Sequence, residues 1–183
     1  MPADLPPAPP PAVRACLPDG SGFLTARLRG DVEAAVDWRG AALDCDGMSR
    51  PDARGLRLRF AGELPDGRRL GLLFAAPTLA EGAGGDAVPV NVTVIVEGSG
   101  QFFGTQGTDR CVLDHASQQP IAGATLPPRT FRVAASGFCT APARALAGTG
   151  SVLVTRFDFA GRVTFDEDDG AAPAAAATTE PHP

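Results

Sequence analysis

The chain has 183 residues, with 21 acidic against 16 basic side chains and a formal net charge of −5. An acidic chain of this kind is a poor partner for nucleic acid or an anionic membrane surface. All 16 basic residues are arginine, which excludes Schiff-base and phosphate-loop lysine chemistry.

Residues 1–15 are rich in proline and alanine and read as a disordered tether. They contain no apolar stretch of the kind a signal peptide needs. Val13-Arg14-Ala15-Cys16 is a poor lipid-attachment signal, because Arg14 is charged and no apolar run precedes it. The expectation is a targeting segment that was removed or that lies upstream of residue 1. Tyrosine is absent, and Ala, Gly, Pro and Arg dominate. That bias reads as a GC-rich bacterial genome.

From residue 16 onward the apolar pattern has a period of two, the period of strands. Leu24, Ala26 and Leu28 alternate with Thr25, Arg27 and Arg29, and Val32, Ala34, Val36 and Trp38 follow. A three-residue loop, Arg29 to Asp31, would set Leu28 beside Val32, Leu24 beside Val36 and Arg27 beside Glu33. Leu56, Leu58 and Phe60 alternate with Arg57 and Arg59, and Leu70, Leu72 and Phe74 come next. Pro65-Asp66-Gly67 between them suits a tight hairpin that sets Phe60 beside Leu72 and Leu58 beside Phe74. Val90 to Val96, then Phe131 and Val133, then Leu153 to Phe165 continue the alternation. Only Pro142 to Gly148 has room for a turn of helix. Residues 167–183 turn acidic and then low-complexity, and read as a disordered tail. The fold expected over 16–166 is therefore all-β, a single antiparallel sandwich of about ten or eleven short strands.

Four cysteines stand at 16, 45, 111 and 139, with no C-x-x-C and no zinc spacing. Cys111 opens one strand and Cys139 follows another, so antiparallel pairing puts both at one end. Cys111–Cys139 is the expected bridge, and Cys16–Cys45 follows by elimination. Disulfides imply an oxidising compartment, hence export. No apolar run is long enough to span a membrane.

Gly98-Ser99-Gly100 ends a valine-rich strand, the place where a nucleotide-binding loop would begin. A phosphate cradle needs a helix after its glycines. Here Gln101-Phe102-Phe103-Gly104-Thr105 follows, which is β-prone, so the stretch reads as strand, loop, strand. Adjacent Phe102 and Phe103 must face opposite sides of a strand. An outward ring near Gln101, Thr105, Gln106 and Asp109 offers what a carbohydrate or peptide contact requires. These six residues are the candidate binding set.

Other constellations are weaker. Asp114-His115 is the one acid-base pair in the domain, and no G-x-S-x-G accompanies it. Asp44 and Asp46 flank Cys45, and Asp158, Asp166, Asp168 and Asp169 lie late. Such carboxylates could serve glycoside hydrolysis if a cleft joined them. The stretch around Asp44 does not match a calcium loop. Asn91-Val92-Thr93 is a glycosylation sequon, discounted for a bacterial chain. Arg27, Arg29, Arg57 and Arg59 are expected on wet strand faces. No catalytic residue, metal or cofactor is assigned. The expected function is a non-catalytic exported binding module with a glycan or protein partner. The alternatives are an aspartate-pair hydrolase and a protein inhibitor or assembly partner.

Overall fold

The computed structural model describes residues 15–50, 54–123 and 126–165. The expected tether (save Ala15) and the expected tail lie outside these residues. Eleven strands follow in chain order: β1 (Phe23–Gly30), β2 (Ala34–Arg39), β3 (Asp44–Ser49), β4 (Leu56–Glu63), β5 (Arg69–Ala76), β6 (Gly85–Val96), β7 (Gln101–Gly104), β8 (Cys111–Pro120), β9 (Thr130–Cys139), β10 (Ala143–Ala145) and β11 (Ser151–Thr164). The only helical element among the described residues is a 3-10 turn over Gly40–Ala42.

The protein is an all-β sandwich. One layer runs β3–β4–β5–β6–β7 and the other β2–β1–β11–β9–β8, each neighbour antiparallel. The layers are hydrogen-bonded to each other as well as packed. The first half of β6 pairs with β8, β10 bridges β7 and β11, and Met48 meets Thr164 in a parallel pairing of β3 with β11. The result is one continuous eleven-stranded sheet wrapped on itself. Such closure leaves few unpaired edges.

Alternation along each strand dictates the core. Phe60 on β4 and Phe74 on β5 point inward and meet Phe157 and Phe159 from β11. Phe74 lies with its ring centroid 4.8 Å from both, and Phe60 lies 5.1 Å from Phe159. All four are fully buried. Inward-facing glycines let these aromatics lie against backbone. Trp38 of β2 covers Gly62 of β4, and Phe157 covers Gly137 of β9. The Trp38 indole N–H donates to the Glu63 carbonyl oxygen at 3.1 Å. A methyl on Gly137 would land on the Val112 carbonyl oxygen and 2.8 Å from the Phe157 ring. Gly137→Ala should therefore lower stability by about 1–3 kcal/mol through overpacking. Chemical denaturation would check this, and an unchanged midpoint would show that the strands part there without cost.

The Pro65-Asp66-Gly67 hairpin forms with Phe60 opposite Leu72 and Leu58 opposite Phe74. The first hairpin differs from expectation. Leu24 pairs with Trp38, Ala26 with Val36 and Leu28 with Ala34, and Arg27 faces Ala35 rather than Glu33. The shift is two residues, so the faces are kept. Its cause is distant in sequence. The Asp31 carboxylate accepts from the Ser151 N–H at 2.6 Å, and the Asp31 N–H donates to the Ser151 carbonyl at 3.0 Å. This ties the turn to β11, while Val32 folds into the core. Pro142 to Gly148 also differs. It holds strand β10 instead of a helical turn, because β7 and β11 satisfy its backbone.

Bridges join Cys16 to Cys45 and Cys111 to Cys139. Cys111 and Cys139 are direct cross-strand partners of β8 and β9. Cys16, bridged to β3, has no thiol free to carry a lipid. The disulfides fit an oxidising, exported setting. No helix of the described residues is long and apolar enough to cross a membrane.

Candidate functional site

The glycine loop is a hairpin turn. Gly98 and Gly100 have φ of +83° and +71°, and Val96 pairs with Gln101 across them. That register decides the phenylalanines. Phe103 sits beside Val94 and is buried, with 3% exposure. Phe102 sits beside Ile95 on the outer face and is 44% exposed.

On its other side Phe102 meets β10 and the residue after it. Arg144 pairs with Gly104 and Ala145 with Phe103. The Leu146 N–H donates to the Phe102 carbonyl at 2.9 Å, continuing the ladder. Leu146 is 59% exposed and lies over Gly104, where a methyl would stand 3.4 Å from it. Ile95, Phe102 and Leu146 thus form an outward row beside a second row of Thr93, Gly104 and Arg144.

Next to these rows is a groove of about 310 Å³, at the small end of ligand sites. Gly104, Thr105 and Gln106 line it on one side and Arg144 and Leu146 on the other, with Arg110 also on its wall. Thr105 is held rigidly. Its hydroxyl accepts from the Val92 N–H at 2.9 Å and lies 3.0 Å from the Asn91 side-chain oxygen, to which it donates. This pins the start of the 105–110 loop to β6 and occupies the sequon's Asn91.

Of the six residues expected from sequence, Thr105 and Gln106 line the groove, and Phe102 stands outside it as the cross-strand neighbour of Leu146, which does line it. Gln101 is exposed at the start of β7 but on the opposite face from Phe102. Asp109 stands in the loop with its carboxylate 3.7 Å from Arg110 Nε. Phe103 belongs to the core. Arg110, Arg144 and Leu146 escaped the sequence reading. Ala143 and Ala145 alternate with the outward Arg144 and Leu146, a strand signal that alanine marks only weakly.

The other constellations are placed apart. His115 lies within β8, not at its end, and Asp114 occupies a bulge beside it. The His115 Nδ1 meets Asp86 Oδ1 at 2.7 Å, and Ser136 is the cross-strand partner of His115. His115 and Asp86 are both largely exposed on an open sheet face. Asp44 and Asp46 share the outer face of β3 and line a cleft with Arg59, Arg69 and Arg162. Asp44 is engaged there by Arg69 at 3.3 Å and Arg59 at 3.6 Å, and Glu97 binds the same two arginines. Asp158 is on the opposite layer, opposite Thr25 and Ser136. Asp166, Asp168 and Asp169 lie outside the described residues. Arg57 and Arg59 face outward from one layer, Arg27 and Arg29 from the other. The Arg129 guanidinium, hydrogen-bonded to Glu81 at 2.8 Å, holds that carboxyl below its usual value. Among the described residues no three His, Cys, Asp or Glu side chains gather as a metal site. Set against known protein families, curated proteins and solved structures, the chain matches none.

Proposed function

We propose that the protein is a non-catalytic binding module of the bacterial cell envelope, working outside the cytoplasm, with its contact surface at Phe102, Leu146 and the adjoining groove. The observation that carries this reading is the outward Phe102–Leu146 pair. Phe102, Leu146 and Met48 are the large hydrophobic side chains left exposed among the described residues, and the first two are direct neighbours. A solvent-facing aromatic beside a polar groove is suited to a sugar face or a partner side chain. The surface is carried on paired strands, so it is rigid before a ligand arrives. The disulfides support action in an oxidising compartment.

Phe102→Ala tests the reading. It should weaken partner binding about tenfold while changing folding stability by less than about 1 kcal/mol, because the ring is only half covered. Capture on arrays of envelope glycans, run beside thermal unfolding, reads both. Undiminished binding by the variant would overturn the assignment of this surface.

A further inference from the structure

We infer that the groove beside Phe102 takes an anionic saccharide, with the sugar's carboxylate or sulfate held by Arg110 and Arg144 and a ring face resting on Phe102 and Leu146. This rests on the binding reading above and adds the ligand's class.

The first ground is which cations are already used. Arg59 and Arg69 are consumed by Asp44 and Glu97, Arg129 by Glu81, Arg68 by Asp66 and Arg39 by Asp37. Arg144 has no carboxylate partner among the described residues, and Arg110 has only its neighbour Asp109 at 3.7 Å. Both guanidinium groups line one small groove that no carboxylate lines, whereas Arg27 and Arg156 share their groove with Asp37 and Asp158. Guanidinium donors fit an oxyanion two at a time, which an ammonium cannot do.

The second ground separates a sugar from a peptide. An extended peptide binds most readily by adding a strand to a free edge. Among the described residues no such edge borders this groove. β7 is paired on both sides, by β6 and β10, and β10 on both sides, by β7 and β11. At the end of β10 the Ala145 N–H is spent on the Gly150 carbonyl, and just past it the Leu146 N–H on the Phe102 carbonyl. A strand-adding peptide has no ladder to join here, and recognition falls to the side chains. Those present are an aromatic and an aliphatic platform, the Gln106 amide, and two guanidinium groups. Gly104 adds the shape, since a side chain there would meet Leu146 and fill the groove's floor.

The test is a titration of the isotope-labelled full chain, followed by amide chemical shifts. The probes are an oligogalacturonate, a sulfated chondroitin oligosaccharide, a neutral cello-oligosaccharide and an oligoglutamate peptide of similar length. One of the two anionic saccharides should shift amides of 102–110 and 142–146, and the stronger of them identifies the oxyanion. Arg144→Gln and Arg110→Gln should each weaken that binding about tenfold, the loss of a charge-assisted contact. Arg144→Lys should recover only part of it, and added salt should weaken the wild type. Preserved shift dispersion in the variants would exclude misfolding as the cause. Equal binding of the neutral sugar, unaffected by Arg144→Gln, would overturn the anionic class and leave the saccharide-binding surface standing. Peptide binding in the groove would overturn the saccharide class and leave a binding module. Failure of all four probes to shift these amides would overturn this inference, while the Phe102→Ala capture experiment still decides the broader reading.

Discussion

Phe74→Ala is expected to lower folding stability by about 3–5 kcal/mol, the range for removing a buried aromatic. Phe74 is the joint between the layers. It touches Phe157 and Phe159 across the core and meets Phe60 edge-on in its own layer at 6.0 Å. Each partner is anchored on a strand hydrogen-bonded along both edges, so the walls have little freedom to collapse into the void. A domain with about 5–15 kcal/mol of total stability would lose a large share of it. Urea unfolding of the oxidised protein would measure the change from the midpoint at constant slope. A loss below about 1.5 kcal/mol would mean that the aromatic cluster relaxes around the gap. Phe102→Ala is the internal comparison, since it removes the same side chain from the outer face.

The difference between those two phenylalanine positions shows which parts of the molecule are legible in its sequence. Period-two alternation and Pro65-Asp66-Gly67 were enough for β4 and β5, because a tight loop fixes register locally and burial of Leu58, Phe60, Leu72 and Phe74 permits only one parity. The first hairpin escaped the same logic. Its turn is held by Ser151, 120 residues away, and no local rule contains that bond. Glycine hid part of the core as well. Gly62, Gly137 and Gly161 are inward positions with no side chain to mark them, and each is covered by an aromatic from elsewhere. The candidate site was half visible. Phe102 and Phe103 announce that one ring must face out, but their parity follows from the pairing of Val94 with Phe103. Arg144 and Leu146 join the site only through the pairing of β10 with β7, a contact made across about forty residues of chain.

The two disulfides should differ in what their removal exposes, although they close loops of nearly equal length. Their separations are 29 and 28 residues, so chain entropy assigns about 3.5 kcal/mol to each. Their surroundings are unlike. Cys111–Cys139 crosses β8 and β9, which remain paired along their length and are flanked by β6 and β11. Removing it with Cys111→Ala and Cys139→Ala should lower the unfolding temperature while leaving the β8 and β9 amides as slow to exchange, relative to the global opening, as before. Cys16–Cys45 holds a segment outside any strand, residues 15–22, against β3. It sits where β3 and β11 close the sheet through the one pairing of Met48 with Thr164. Cys16→Ala with Cys45→Ala should therefore cost a similar amount globally and also open this seam. Fast hydrogen exchange should appear at residues 15–22 and along the β3 edge, with buried Leu17 released. Proteolysis should then cut near residue 20 in that variant and not in the other. If β8 and β9 lose protection first in the Cys111 and Cys139 variant, the ladder depends on its bridge. If residues 15–22 and the β3 edge keep their protection without Cys16–Cys45, the closure of the sheet rests on more than the contacts at Met48 and Thr164.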